Sequence, residues 1–322
     1  MCSGSCSWPA ATRRPLDYGH VLLTGSEGFV GKAVARRLDG IIRCDTKLGL
    51  PIDRVIRSPD FARVRTVIHC AAVQLFTPGR NLYDYETFHR GNVVVLQDLL
   101  RACVTVGVRK FIHISTDMVY GIPDRCPIPE SADLRPVGHY GRSKRQAETL
   151  VRAAAERIPV VTILRPRVIG GPGRLGLFAT LARLAHARVP IVLIGSGGNL
   201  YQMLHVEDFA DLVVEALHRD VPGTFNAGSL QVSTLREKIV VAAQCLGTTP
   251  AFVPVPERLA VAACAALYRL HLGPLHPEQY LTLGRNFVLS LERTLDHFAW
   301  RPRFSDNQII ADSFRTLARS AA

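Results

Sequence analysis

Short apolar runs alternate with segments of helical periodicity over most of the 322-residue chain. Strands are predicted within residues 21–23, 41–45, 64–72, 110–116, 160–166, 191–195 and 223–228. Helices are predicted between them, and the longest of these cover residues 82–106 and 140–158. This alternation predicts an α/β fold with a parallel, doubly wound sheet of the Rossmann type, because parallel strands need right-handed helical crossovers.

A glycine-rich turn joins the first strand to the first helix. The segment HVLLTGSEGFVGKAVARRL, residues 20–38, places Gly25, Gly28 and Gly31 in a G-x-x-G-x-x-G spacing. Glycines allow a tight turn, the close approach of a pyrophosphate and close packing of helix on strand. The order strand, glycine triplet, helix therefore predicts a dinucleotide site with its pyrophosphate at the helix N-terminus.

Asp45 ends the second predicted strand. A carboxylate at this point accepts hydrogen bonds from a ribose 2′-hydroxyl and repels a 2′-phosphate, so NAD is predicted as the cofactor in preference to NADP. Arg43 and Lys47 flank Asp45 and weaken this preference. The short distance from Gly31 predicts a clipped helix or loop before the second strand.

The pattern divides the chain into three predicted regions. Residues 1–18 form a disordered leader, residues 19–170 the NAD-binding domain, and residues 171–322 a smaller C-terminal α/β substrate lobe, interleaved with the last strands of the sheet. The regular alternation stops near residue 250, and an apolar helix follows with the sequence ERLAVAACAALYRL. We interpret it as a core or lobe helix, and the alternative is an interfacial helix that rests on a membrane.

Tyr140 and Lys144 lie one helical turn apart on one predicted helix face. An ammonium beside a phenol favours the phenolate. Lowering the phenol pKa by about three units requires ~4 kcal/mol, which we expect from Lys144 together with a positive nicotinamide ring. Tyr140 is therefore predicted to exchange a proton with a substrate hydroxyl during hydride transfer. Ser115 and Thr116 follow a buried strand, at the edge where α/β sheets bind ligands.

These motifs together resemble the extended short-chain dehydrogenase/reductases of the NAD-dependent epimerase/dehydratase group. The resemblance runs from His20 to the C-terminal helix. Besides the glycine turn and the Tyr140 segment, it includes HCAA at 69–72, GN at 91–92, LRP at 164–166, HVED at 205–208 and FNAG at 225–228.

The resemblance implies roles for individual residues. Tyr140, as acid/base, Lys144, on the nicotinamide ribose, and Thr116 are the expected catalytic residues. The expected cofactor-binding residues are Gly25, Glu27, Gly28, Phe29, Val30, Gly31, Asp45, Cys70, Ala71, Ala72, Asn92, Ile114, Ser115, Tyr140, Lys144, Pro166 and Val168. The expected substrate-binding residues are Asp117, Met118, Arg167 and Tyr201. Relatives also imply a homodimer, formed through the helices that begin near Leu82 and Tyr140.

Three positions depart from the pattern of sugar-nucleotide relatives. Met118 stands where 4,6-dehydratases carry a glutamate that acts on the C5 proton, and a thioether transfers no protons, so dehydration of that type is disfavoured. Val168 and Tyr201 stand where relatives carry an asparagine and an arginine that grips the diphosphate. Arg167, or one of the arginines at 174 and 285, would have to replace that grip.

Three functions follow from these residues. The first is an epimerase or ketoreductase that acts on a secondary alcohol or ketone of a small-molecule substrate, a nucleotide-linked sugar. The second resembles the 3β-hydroxysteroid dehydrogenase branch and takes an apolar, lipid-like alcohol, which Val168, Tyr201 and the apolar helix near Leu259 favour. The third is a non-catalytic dinucleotide sensor, against which Tyr140 and Lys144 argue.

Composition limits the remaining possibilities. Hydrophobic residues make up 48% and charged residues 20% of the chain, as in a globular enzyme. The net charge of +12 comes without a basic run interleaved with aromatics, so no nucleic-acid partner is predicted. The eight cysteines, Cys2 and Cys6 of the leader included, lack C-x-x-C spacing, which favours free thiols and no metal site. No signal peptide and no run of about 20 apolar residues is found, so a cytoplasmic location is expected.

Overall fold

A parallel sheet forms the centre of the protein in the computed structural model, which describes residues 20–75, 83–174, 176–272 and 275–320. Within these residues the strands are β1 (His20–Thr24), β2 (Ile42–Cys44), β3 (Val64–His69), β4 (Lys110–Ile114), β5 (Val160–Pro166), β6 (Val168–Gly170), β7 (Ile191–Ile194), β8 (Met203–His205), β9 (Gly223–Ala227) and β10 (Phe252–Val255). Six of them make one sheet in the order β2-β1-β3-β4-β5-β9, and every neighbouring pair is parallel. The predicted Rossmann-type fold is confirmed.

Helices cover both faces of this sheet. The helices of the described residues are α1 (Phe29–Ala35), α2 (Ile52–Val55), α3 (Tyr85–His89), α4 (Val95–Val106), α5 (His139–Ala154), α6 (Gly176–His186), α7 (Val206–His218), α8 (Leu235–Gln244), α9 (Glu257–Arg269), α10 (Pro277–Tyr280), α11 (Glu292–His297) and α12 (Asp306–Ser320). Helices α1 and α7 bury their apolar residues on one face, and α2, α4 and α5 on the other. Because both faces are covered, the strands are apolar at successive positions: Leu22 and Leu23 of β1 enter opposite cores.

The strand order reverses next to β1. Strand β2 lies on one side of β1 and β3 on the other. The crossovers leave β1 and β3 toward opposite faces of the sheet, which opens a crevice at the carboxyl ends of these two strands. The glycine turn that follows β1 lies at this crevice.

The C-terminal part has a hydrophobic cluster of its own. It is built from α6, α8, α12 and β7. Strand β10 pairs in parallel with β7, and β6 pairs in parallel with β8. Strand β9 belongs to the central sheet although it follows this region's first helix, as an interleaved lobe requires. The domain limits at 18 and 170 stay a prediction, and the leader, with Cys2 and Cys6, lies outside the described residues.

Two helices differ from the sequence prediction. The helix predicted over 82–106 begins outside the described residues and is divided into α3, a π-helical turn at Arg90–Val94, and α4. Of the two alternatives, core or lobe helix, the first is wrong for α9, because Ala260 is its one buried residue while Leu259 and Leu267 are 64% and 42% exposed. Among the described helices, none has the length and apolarity needed to cross a membrane.

A buried ion pair fixes α5 against the sheet. Arg165 of β5 donates from Nε and Nη2 to Glu148 of α5 at 2.9 and 2.6 Å, and both side chains are 1% exposed. Ser115 adds a hydroxyl bond to Glu148 at 2.6 Å, and Arg165 also donates to the Tyr120 hydroxyl at 2.9 Å. Burial alone would raise the pKa of Glu148, but its hydrogen bonds to Arg165 and the charge of Arg165 outweigh burial and hold that pKa below its usual value.

We expect Glu148→Gln to lower the free energy of unfolding by about 3 kcal/mol, because the change leaves a buried guanidinium without its counter-charge. Urea denaturation measures this effect. Since the folded-state pKa of Glu148 is depressed, the difference is complete at neutral pH and is lost as the pH falls through that folded-state pKa. Glu156→Gln, at an exposed position of the segment after α5, is the matched control. An equally small loss in both variants would contradict this account of the pair.

Candidate active site at the carboxyl edge of the sheet

The glycine turn is packed so closely that a side chain does not fit at Gly25 or at Gly31. Gly25 has a φ of +68°, and a Cβ built on it lies 2.6 Å from the backbone nitrogen of Ala71. A Cβ on Gly31 lies 1.9 Å from the carbonyl oxygen of Gly25, so the first turn of α1 packs directly on the loop. The Gly28 amide closes the turn on that same carbonyl at 3.0 Å. The backbone therefore forms a bare cradle at the end of β1, as a pyrophosphate requires.

Two carboxylates, of Asp45 after β2 and of Glu27 in the glycine turn, belong to neighbouring segments. Asp45 accepts hydrogen bonds from the backbone amides of Glu27, at 3.0 Å, and Lys47, at 2.9 Å. The Glu27 carboxylate pairs with Arg43 and, at 3.5 Å, with Lys32. The charge of Arg43 is therefore directed to Glu27 and away from Asp45. This arrangement leaves a carboxylate of fixed orientation beside the cradle.

Polar contacts tie the ends of β1 and β3 together. The Thr24 hydroxyl and His69 Nδ1 are 2.8 Å apart, and the Ala71 amide donates to the same hydroxyl at 3.3 Å. The half-buried residues Cys70, Ala71 and Ala72 continue from β3 past the glycine turn. Burial raises the pKa of the Cys70 thiol to about 12, although the charge of Lys144 opposes the shift, so this cysteine is a neutral wall residue.

Tyr140 and Lys144 occupy the first turns of α5. Tyr140 is 8% exposed and packs beside Phe88 with ring centroids 6.1 Å apart. Lys144 is 1% exposed, and its Nζ donates to the Ile114 carbonyl at 2.7 Å and lies 3.2 Å from His113 Nε2. Both predicted groups therefore lie at the end of β4, where Thr116 also emerges.

The pKa of Tyr140 shifts opposite to the direction expected from the sequence. Burial raises it above its usual value, while the charge of Arg174 and a hydrogen bond with Thr116 act against the shift. Burial also lowers the pKa of Lys144 to about 8. Lys144 and a nicotinamide ring together are expected to lower the phenol pKa, and the residues of the protein by themselves do not lower it, because the ammonium is directed to the Ile114 carbonyl and His113. Desolvation of the phenol is the larger effect.

Two stacked histidines lie beneath Lys144. The rings of His69 and His113 are 5.5 Å apart and within 17° of parallel. Burial first, and the charge of Lys144 second, lower the pKa of His69 to about 3 and that of His113 well below its usual value. Both imidazoles are therefore neutral, and they form an uncharged floor that adds no competing cation to the site.

The four predicted substrate-binding residues lie together. Thr116 donates to Asp117 at 3.0 Å, and Arg167 donates from Nη1 to Asp117 at 2.5 Å. The Arg167 guanidinium lies between two rings, 4.5 Å from the centre of Tyr201 and 4.2 Å from that of Phe287. Met118 lies in the wall of the small cavity next to them. Arg167 therefore contacts both Asp117 and Tyr201, which are far apart in the sequence.

Two of the expected cofactor-binding residues, Ser115 and Asn92, use their side chains for hydrogen bonds within the protein. The Ser115 hydroxyl is directed to Glu148 and so supports the ion pair of α5. Asn92, in the π-helical turn, accepts from the Val73 amide at 2.7 Å and donates to the Val73 carbonyl and the Ser143 hydroxyl, both at 3.0 Å. These bonds position the segment after β3 against α5.

The remaining predicted cofactor-binding positions lie around the crevice. The ring of Phe29 lies 5.2 Å from the guanidinium of Arg174, Val30 is buried against the sheet, and Pro166 and Val168 lie at the end of β5 and at the start of β6. Within the described residues there is no group of three or more His, Cys, Asp or Glu side chains that could hold a metal ion.

Glu278 is a site residue that the sequence analysis missed. Its Oε1 accepts from the backbone amides of Tyr140, at 3.0 Å, and Gly141, at 3.3 Å. It reaches α5 from 138 positions along the chain, so no local pattern indicates it. The one signal is indirect: Gly138 at the N-cap of α5 has no side chain to cap the helix, which leaves its first amides in need of an acceptor.

The sequence over residues 21–228 matches the family described as "NAD dependent epimerase/dehydratase family". It is 28% identical over 232 residues to the uncharacterized protein y4nG of Sinorhizobium fredii, a match covering 72% of this chain and 59% of that protein. It is 28% identical over 236 residues to the UDP-glucose 4-epimerase of Vibrio cholerae, covering 67% of this chain and 69% of that protein.

Solved structures share the fold. The UDP-glucose 4-epimerase of Thermus thermophilus, in complex with NAD, aligns with a TM-score of 0.72 at 24% sequence identity. The alignment covers 94% of this chain and 100% of that one.

Proposed function

The chain belongs to the NAD-dependent epimerase/dehydratase family, and on that premise we propose that it binds NAD and catalyses hydride transfer at a secondary alcohol or ketone of a nucleotide-linked sugar, as an epimerase or ketoreductase. The observation that carries the proposal is the meeting of Tyr140, Lys144 and Thr116 at the carboxyl edge of the sheet, beside the glycine cradle. The similarity to a UDP-glucose 4-epimerase supports the choice of substrate class.

The residues present fit NAD. The Gly25–Gly31 turn offers its backbone to the pyrophosphate, because a Cβ at Gly31 would occupy the loop. Asp45 is placed for the adenosine ribose. An ammonium has three N–H donors, and Lys144 uses its contacts with Ile114 and His113, which leaves a donor for the nicotinamide ribose. NAD, when bound, supplies a ring that accepts or returns a hydride.

Tyr140 moves the proton in this proposal. Because burial raises its pKa, the phenol is protonated at neutral pH and is suited to donate to a carbonyl oxygen. In the opposite direction the phenolate accepts the hydroxyl proton of the substrate, and the positive charges of Arg174 and of the bound ring stabilise that phenolate. Thr116 holds the same substrate oxygen through its hydroxyl.

Met118 selects among the reactions of the family. It lies next to Asp117 in the cavity wall and carries no proton-transfer group. Removal of a proton from a neighbouring carbon, which dehydration requires, has no base at this position. Epimerisation and ketone reduction need Tyr140 alone for proton transfer and are therefore favoured.

A second candidate is an oxidoreductase for apolar alcohols with peripheral contact to a lipid surface. The observation that favours it is the exposed apolar side of α9 and the turn after it, where Leu259, Leu270 and Leu272 are 64%, 67% and 71% exposed. Thermal shift of the NAD-bound protein separates the two, because a ligand of the folded state raises its apparent stability. Stabilisation by UDP-glucose and not by sterol supports the first candidate, and the converse supports the second.

Tyr140→Phe is expected to lower kcat by about 10²- to 10⁴-fold, because it removes the group that transfers the proton. NAD-dependent turnover of UDP-glucose is the assay, with NAD affinity measured separately and expected to be unchanged. Since alcohol oxidation needs the phenolate and burial raises the pKa of Tyr140, the oxidation rate of the wild type should rise with pH through neutrality. Tyr85→Phe, which loses only the bond from its hydroxyl to Gln146, is the control. Full activity of Tyr140→Phe would refute the assigned role.

Asp45→Asn is expected to reduce the preference for NAD over NADP by about 10-fold, since it removes the charge that repels a 2′-phosphate. The Glu27 and Lys47 amides donate to different oxygens of Asp45, so the asparagine amide oxygen keeps one of these two hydrogen bonds and the other is lost. The ratio of the two dissociation constants is the readout. Asp60→Asn, at an exposed position, should leave that ratio unchanged. An unaltered ratio in Asp45→Asn would remove Asp45 from cofactor selection.

We further propose a homodimer formed through α4 and α5. Both helices bury an apolar face on the sheet, so the opposite side of each helix is directed outward. Val94, just before α4, is 39% exposed, and a groove of about 440 Å³ lies along α5 between His139 and Gln146. Light scattering of the purified protein should give twice the chain mass of 35.4 kDa, and Val94→Glu should shift it toward the monomer. A wild type that is monomeric at micromolar concentration would contradict the proposal.

A further inference from the structure

A cavity lies next to the candidate catalytic residues on the side of the C-terminal lobe. Its walls include Asp117, Met118, Arg167, Glu278, Thr282 and Phe287. The volume is about 10 Å³, which holds a single group the size of a water molecule. Glu278 accepts from the backbone amide of Tyr140 and Asp117 accepts from the hydroxyl of Thr116, so the cavity adjoins the candidate catalytic residues.

Arg167 brings an unused donor to this cavity. Its side chain is 3% exposed. Nη1 donates to Asp117 at 2.5 Å, and Nε donates to the Phe287 carbonyl at 3.4 Å. Nη2 is buried and has no hydrogen-bond partner among the residues that the structure describes. The rings of Tyr201 and Phe287 pack against the guanidinium.

Glu278 brings an unused acceptor to the same cavity. The residue is 3% exposed, and its Oε1 is engaged by the amides of Tyr140 and Gly141. Oε2 is buried and, within the described part of the chain, has no partner. Gly138 makes room for this carboxyl group, since a Cβ there would lie 2.0 Å from Oε2. The carboxyl group is therefore held in place through Oε1, while Oε2 stays available to a ligand.

The chemistry of these two atoms selects the group that suits the cavity, which both residues line. A buried donor and a buried acceptor without partners are each unfavourable. A hydroxyl accepts from one and donates to the other within the volume of one water molecule. A carboxylate is too large and is repelled by Asp117 and Glu278, an ammonium is repelled by Arg167, and a methyl group leaves both atoms unpaired.

We propose that this cavity is a specificity subsite that receives one hydroxyl group of the substrate, which accepts a hydrogen bond from Arg167 Nη2 and donates one to Glu278 Oε2. The inference rests on the proposed function, because it places that hydroxyl on the sugar whose alcohol carbon faces Tyr140. The substrate class that follows is a neutral, hydroxylated sugar. A uronic acid is excluded wherever its carboxylate would have to occupy this position.

Glu278→Gln reverses the acceptor with little change in shape. The amide oxygen can still receive the Tyr140 and Gly141 amides, while the amide nitrogen replaces Oε2 and turns an acceptor into a donor. Arg167→Lys is the second variant, because it keeps a positive charge for Asp117 but removes Nη2. Glu292→Gln, at an exposed position of α11, is the matched control.

Calorimetric titration of the NAD-bound protein tests the subsite. The probes are UDP, UDP-glucose and four UDP-glucose analogues in which the hydroxyl at C2, C3, C4 or C6 is replaced by fluorine, which cannot donate. In the wild type, we expect one analogue to bind at least about 10-fold more weakly than UDP-glucose. In Glu278→Gln and Arg167→Lys, UDP-glucose should bind as weakly as that analogue, whose own affinity should hardly change.

Two outcomes would overturn the subsite. Equal loss of affinity for UDP-glucose and for all four analogues in the variants would show a general disturbance of the fold, and equal affinities in the wild type would show that the cavity holds water only. In both outcomes UDP and UDP-glucose still bind, and the proposed function stands. A wild type that binds neither UDP nor UDP-glucose overturns the proposed function and the subsite with it.

Discussion

The bidentate pair between Arg165 and Glu148 is the constraint on which the site depends. It joins the end of β5 to the middle of α5, with both charges removed from water. Lys144, one turn before Glu148, then meets the Ile114 carbonyl at the end of β4, and Tyr140 follows one turn further back. Contacts with β5 and with the end of β4 together fix the position of α5 on the sheet. A buried pair of this kind is costly to assemble and more costly to break, which makes it an effective means of fixing one geometry.

The candidate site is completed by residues from distant parts of the chain. The first half supplies the glycine cradle, Asp45, Thr116, Tyr140 and Lys144. Arg167 lies between β5 and β6, and Tyr201, Phe287 and Glu278 come from the C-terminal region. Residues from both halves of the chain therefore meet at a single edge of the sheet.

Much of the fold was predictable because its signals are local. Apolar runs, the glycine spacing and Asp45 each lie within a few residues of the feature they indicate, and the Tyr140–Lys144 spacing needs only one helix. The direction of the Tyr140 pKa was not predictable, since desolvation depends on what the whole chain packs around the phenol. Glu278 had no local signal, because its partner Tyr140 lies 138 positions away in the sequence. The composition of α9 resembles that of a core helix, and its exposure depends on which elements of the described chain pack against it.

The contact between Glu278 and the amides of Tyr140 and Gly141 limits how the two regions can diverge. A transplanted C-terminal segment without a carboxylate at this position would bring a new binding surface, yet it would also remove the acceptor for the first amides of α5, the helix that carries Tyr140. Chimeras made at the boundary of the lobe would therefore lose order in α5 unless a carboxylate were retained at this point. Recombination between relatives is constrained here by one oxygen atom.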